Sequence, residues 1–157
     1  MKILIALDES SHSQRALDFV TRVRWPAGSR LTVMSVVQPM TSAIAAAYEP
    51  AGALPPGLDE ELRRNLQEVV SKAERTLRES GLSTEGRVVM GDPREAVVEA
   101  AREERSDLVV VGSHGRTGLA KLWLGSVSSH VVTHAPCSVL VVKANDERQA
   151  RSTGGAS

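Results

Sequence analysis

The chain is short of cysteine, aromatic residues, net charge and long apolar runs, and each shortage removes a class of function. Its single cysteine, Cys137, can form neither an internal disulfide nor a thiolate zinc cage. Aromatic side chains make up 3% of the sequence, too few for stacking on bases or sugars to be the main mode of recognition. Lys and Arg number 19 and Asp and Glu also 19, so the basic surplus with which nucleic-acid binders neutralise phosphates is missing. The N-terminal apolar run Ile3 to Leu7 is too short for the core of a secretory leader and meets Asp8 and Glu9 at once. No stretch is long enough to cross a bilayer. The expectation is a cytoplasmic protein with no nucleic-acid and no membrane partner.

What is present is an alternation of short apolar runs with longer helical patterns. At 157 residues the chain fits one domain, large enough to bury a normal core. Lys2 to Leu7 is nearly all apolar, as a strand covered on both faces is. Ser11-x-x-Gln14 then fits a capping box, with Ala16, Leu17, Phe19, Val20 and Val23 at helical spacing before Pro26 and Gly28. A second strand, Leu31 to Val37, precedes an irregular connection from Gln38 to Gly57 with four prolines, long enough to be functional or mobile. Leu58, Leu62, Leu66, Val69, Val70, Ala73 and Leu77 form one stripe of a helix ending near Gly81. Thr84 to Met90 alternates like a half-buried edge strand.

Asp92-Pro93-Arg94-Glu95 has the cap, the proline and the acidic first turn of a helix start. Asp107 to Gly112 reads as a buried strand, Gly125-Ser126 opens a last helix with Val127, Val131 and Val132, and Ser138 to Val142 is a fifth strand. The polar tail 144–157 is expected to be disordered. Strands alternating with helices imply crossovers and a doubly wound, mostly parallel α/β sheet, whose ligands bind at the carboxyl ends of the strands where their order reverses. Asp8, the end of the second strand and Gly112 all fall on that rim.

The most informative segment runs from Val111 through Gly112, Gly115, Arg116 and Gly118 to Gly125, Ser126 and Ser128. Its glycines lie after a buried strand and before a helix, where bare backbone and a helix N-terminus suit an anion such as phosphate. Ser126 and Ser128 offer hydroxyl donors and Arg116 a guanidinium; the alternative is a plain turn and cap. The P-loop ending Gly-Lys-Ser/Thr does not occur, and the first strand runs into Asp8-Glu9-Ser10 rather than a G-x-G-x-x-G turn. Asp8 fits either a ribose acceptor or a charge at the start of the first helix. Cys137 reads as a small core residue, and His12, His130 and His134 as exposed or capping residues. Trp25 reads as closing the first helix, and Trp123 as packing beneath the loop or at an interface.

Gly112-x2-Gly115-x9-Gly125-Ser126, with KILIALDES at the start and APCSVLVV at residues 135–142, resembles the universal stress protein family in its ATP-binding branch. The resemblance covers residues 1–143 and implies one domain, a five-stranded parallel sheet of order 3-2-1-4-5 with helices on both faces. It implies that Asp8 holds the ribose or base, that Ala6 and Leu7 line the base pocket, and that Val36 flanks the adenine. Val111 and Gly112 would touch the ribose and adenine side. Gly115, Arg116, Gly125, Ser126, Val127 and Ser128 would surround the triphosphate, with His114 beside it. The cofactor implied is ATP with Mg or Mn carried by the phosphates, and the partner a second copy joined through Ser138 to Val142. The function implied is nucleotide-dependent regulation, with weak ATP hydrolysis at most; the alternatives are a slow ATPase or phosphotransferase acting on a partner, or a nucleotide-free structural dimer. Exchange of Gly115 for valine is expected to abolish binding through lost φ freedom and close approach.

Overall fold

Strand β1 (Lys2–Ala6) leads into helix α1 (Ser11–Arg22), and the same alternation continues to the end of the described chain. Next come β2 (Arg30–Val37), α2 (Leu58–Glu79), β3 (Ser83–Met90), α3 (Pro93–Glu103), β4 (Leu108–Gly112), α4 (Ser126–His134) and β5 (Ser138–Val142). The computed structural model describes residues 1–38, 57–115 and 124–143. The connection 39–56, the stretch 116–123 with Arg116 and Trp123, and the tail 144–157 lie outside the described residues.

The five strands form one sheet of order β3-β2-β1-β4-β5, parallel throughout. Register is uniform: Ile3 of β1 lies opposite both Leu31 of β2 and Leu108 of β4. After β3 the chain passes back over β1 and β2 to lay β4 on the other side of β1. The strand order therefore reverses between β1 and β4, and the carboxyl ends diverge there.

Alternate residues of the central strands feed two separate cores. Ile3, Ile5, Leu31 and Val33 pack under α1 and α2 with Ala16, Leu17, Val20, Val70 and Leu77. Leu4, Met34, Val109 and Val111 face α3 and α4 with Val97, Ala101 and Val131. Ile3, Leu4, Ile5 and Val110 have 1% exposure or less, which is why β1 and β4 read as unbroken apolar runs. β3 is an edge strand, as its alternation predicts.

Helix ends account for the differences from the sequence reading. Ser10, not Ser11, caps α1, accepting from the Ser13 N–H at 3.2 Å. The sequence offers serines at 10, 11 and 13, and only the first holds the extended backbone of a cap. Phe19 is turned outward at 41% exposure and Val132 at 49%, so neither joins the core. Helix α2 closes on Gly81 at φ +82°: the Gly81 N–H reaches Arg78 O and the Leu82 N–H reaches Leu77 O. Trp25 closes α1 as expected, its indole N–H donating to Val20 O at 2.9 Å.

Candidate functional site

At the reversal point the carboxyl ends of β1, β2 and β4 and the starts of α3 and α4 enclose a cleft of about 290 Å3. Ala6, Leu7, Asp8 and Val36 reach it from β1 and β2, and Val111, Gly112, His114 and Gly115 from β4 and the turn after it. Gly125, Ser126, Val127 and Ser128 close it from α4. The expected residues within the described chain thus meet around one cavity. Sequence reasoning missed Ser13, Met34, Gln38, Leu66, Pro93 and Val97, which also line it. Met34 and Val97 belong to the core beneath one face of the sheet, so part of the floor is apolar.

The polar wall is built on the turn between β1 and α1. The Leu7 N–H donates to Met34 O at 2.9 Å and the buried Ser35 hydroxyl donates to Leu7 O at 2.7 Å, fixing the strand end. Asp8 follows. Its Oδ1 accepts from the Ser10 N–H at 2.9 Å and from the Ser13 hydroxyl at 2.6 Å. The Ser13 Oγ in turn accepts from the Asp8 N–H at 2.8 Å.

The glycines of the motif are explained by chain crossings rather than by backbone conformation. The left-handed glycines among the described residues are Gly28, Gly57, Gly81 and Gly91, and none of them belongs to the motif. A β-carbon on Gly112 would lie 2.8 Å from the carbonyl carbon of His12, so α1 packs against that position. On Gly115 it would lie 2.9 Å from Asp8 Oδ2, and on Gly125 it would lie 3.1 Å from the His114 Cα. The turn after β4 is therefore held between the start of α1 and the start of α4. The reason expected for Gly115, φ freedom, is corrected: close approach alone makes a side chain unwelcome there.

Helix α4 begins at Gly125, which supplies no capping side chain, and has no acidic residue in its first turn. The Gly125 N–H is taken by Ser113 O at 2.7 Å, and the first intrahelical bond is Ser129 N–H to Gly125 O at 2.9 Å. The N–H groups of Ser126, Val127 and Ser128 lie between these two bonds, with no carbonyl of their own helix to meet. The hydroxyl expected from Ser128 is corrected as well: it is buried and donates to Gly112 O at 2.7 Å, tying α4 to the end of β4. Ser126 is exposed at the mouth.

His12, His114 and His130 make contacts between elements, while among the described residues the exposed His134 contacts only its own helix. His12 and His114 bring their rings to 5.2 Å across the rim. Burial, with His114 and Arg15 nearby, holds the His12 imidazole below its usual value, so it is neutral at pH 7. His130 Nε2 lies 3.1 Å from Glu95 Oε1 without the alignment of a hydrogen bond, and its ring stacks on His134 at 4.1 Å. Cys137 packs half-buried beside the α3–α4 core, and burial and Asp107 push its thiol up, away from nucleophilic use. Among the described residues no group of three or more His, Cys, Asp and Glu is arranged to hold a metal ion.

Comparison with known proteins places this geometry. The model of the universal stress protein family matches residues 1–143. A universal stress protein of Thermus aquaticus is 32% identical over 142 residues, covering 90% of this chain and 97% of its own. Among solved structures, protein MJ0577 of Methanocaldococcus jannaschii superposes with a TM-score of 0.78 at 26% identity, over 92% of this chain and 96% of its own. A universal stress protein in complex with cAMP gives a TM-score of 0.64 at 25% identity, over 91% of this chain and 96% of its own.

Proposed function

Because the chain belongs to the universal stress protein family, we propose that its cleft binds an adenine nucleotide, ATP with a divalent cation, and that binding regulates the protein rather than feeding a reaction. The observation that carries this reading is the bare N-terminus of α4, opening onto a cleft whose opposite wall carries Asp8. Three amide N–H groups and the positive helix end favour a polyanion. The apolar lining from Val36, Met34, Val97 and Val111 suits a purine ring, and Asp8 suits the hydroxyls of a ribose. The cAMP complex of a relative with the same fold supports the adenine nucleotide class. Ala6 and Leu7 would bound the base, and Ser126, Val127 and, outside the described residues, Arg116 would flank the phosphates.

The residues fit such a ligand better than they fit catalysis. Of the serines lining the cleft, the two that are buried, Ser13 and Ser128, both donate inward to protein oxygens, and neither is aimed as a nucleophile. The buried Ser113 hydroxyl lies 3.2 Å from His114 Nδ1. A cation would arrive on the phosphates and keep much of its water. Calorimetry with ATP and magnesium tests the reading: binding tighter than about 1 mM supports it, and anything weaker removes it. Phosphate release sustained over many turnovers would replace the regulatory reading with an enzymatic one.

The same reading includes a homodimer. Among the described residues β5 ends the sheet, and Val139, Leu140 and Val141 are only half-buried there. An apolar edge of this kind pairs readily with a second copy across a two-fold axis. Light scattering at working concentration is expected to give twice the chain mass.

A further inference from the structure

Asp8 is held from two sides by residues that belong to different elements. On one side, the Ser13 hydroxyl in the first turn of α1 accepts from the Asp8 N–H at 2.8 Å and donates to Oδ1 at 2.6 Å. The Ser10 N–H donates a second bond to the same oxygen at 2.9 Å. Ser13 is 6% exposed, so water competes poorly for this ring of bonds. On the other side, among the described residues and apart from its chain neighbours, a β-carbon placed on Gly115 meets Asp8 Oδ2, at 2.9 Å. A carboxylate on a loose side chain would swing away from such a contact. This one has its first oxygen fixed by two donors, so a β-carbon at 115 displaces the carboxylate or breaks its bonds.

We propose that Ser13 and Gly115 are positioning residues for Asp8: the serine hydroxyl fixes one carboxylate oxygen, and the missing side chain leaves the other in place to receive the ribose hydroxyls of the nucleotide. This rests on the adenine-nucleotide reading above and changes what the glycine is for. Gly115 serves the sugar through Asp8, and the polyanion is left to the first turn of α4. Nothing in the backbone at 115 argues otherwise, since its φ lies outside the left-handed region.

The test measures the affinity of the full chain for magnesium-ATP and for magnesium-2′,3′-dideoxy-ATP, which lacks the ribose hydroxyls. The unaltered chain is expected to prefer ATP about tenfold, the usual worth of hydrogen bonds to a charged acceptor. In Ser13→Ala and in Gly115→Ala that preference falls towards one. In an Asp8→Ala background neither second substitution weakens ATP further by more than about twofold, because residues acting through one group are not additive. A general loosening of the fold would lower both ligands together and leave the ratio intact. Thermal unfolding identifies any variant that fails to fold; Gly115→Ala, in a half-buried turn, decides the matter alone if Ser13→Ala is lost. A Gly115→Ala loss that persists without Asp8 and is equal for both ligands assigns the glycine to the phosphates and overturns the inference. A preference kept in both single variants overturns it too. If the unaltered chain binds neither nucleotide, the functional reading fails and takes this inference with it.

Discussion

Helices α3 and α4 both begin at the rim of the cleft, and they begin in opposite ways. Helix α3 brings its own negative charge: Asp92 caps it, accepting from the Arg94 N–H at 2.9 Å, Pro93 removes one N–H, and Glu95 sits in the first turn. Helix α4 brings none: its cap is glycine and its first turn is Ser126, Val127 and Ser128. A helix start leaves unpartnered amides and a partial positive charge, and a protein normally answers both with a side chain. Among the described residues, one helix at this cleft is answered from within and its neighbour is not. The difference marks where an external anion would complete the structure.

The strongest way to break that comparison is to give α4 what α3 has. Gly125→Asp places a carboxylate over the first-turn amides, and ATP affinity is expected to fall on the order of a hundredfold through occupied donors and repulsion of the phosphates. Gly125→Asn caps with less charge and is expected to fall between the two, which separates occlusion from repulsion. Calorimetry reads both; ATP bound as tightly as by the unaltered chain would show that the phosphates lie elsewhere.

A second substitution sharpens the contrast by separating glycines that face a ligand from glycines that face the chain. Gly112→Val pushes a branched side chain into the His12 backbone, where a β-carbon alone would sit at 2.8 Å. Overpacking of that kind is expected to cost about 2 kcal/mol, a fall in Tm of roughly 4–8 °C. Thermal unfolding checks it, and an unchanged Tm would mean that α1 yields easily. Among the described residues valine at 115 meets the end of the Asp8 carboxylate rather than backbone, so it is expected to lower Tm less than Gly112→Val does while nucleotide binding is lost.

Much of this was legible before any coordinates. The strands and the position of the cleft follow from apolar runs that end in Asp8 and Gly112, because strand burial and helix starts are local signals, whereas the sheet order was implied by the family resemblance. Asp92-Pro93 announced α3 in the same way. What the sequence hides is what crosses what. Leu66, Met34 and Val97 read as ordinary helix and strand interior, and only the packing of α2 and α3 on the sheet carries them to the cleft wall. Ser13 carries no signal of its own in the sequence, and its bond to Asp8 depends on the turn between β1 and α1. The motif glycines were found by spacing, but their reason was misjudged, because no single-chain pattern reports that another segment lies 3 Å away.

The smallest effect tests the capped helix itself. The Arg94 guanidinium and then the Arg94 N–H hold the Asp92 carboxyl below its usual value, lowered from 3.8 to about 2. The folded value lies below the unfolded one, so the contact stabilises fully above about pH 4 and is lost as pH falls through about 2. The Asp92 side chain is 33% exposed, so solvent screening makes the cap itself the better guide to size. Asp92→Ala is expected to cost about 1 kcal/mol at pH 7, and the gap from the unaltered chain closes between pH 4 and pH 2. Denaturant unfolding at a series of pH values measures that closure, and a gap that persists at pH 2 would show that the charge is not what stabilises α3. If Asp92→Ala also weakened ATP binding as severely as Gly125→Asp, the two helix starts would be one shared anion site, and the asymmetry between them would not locate the phosphates.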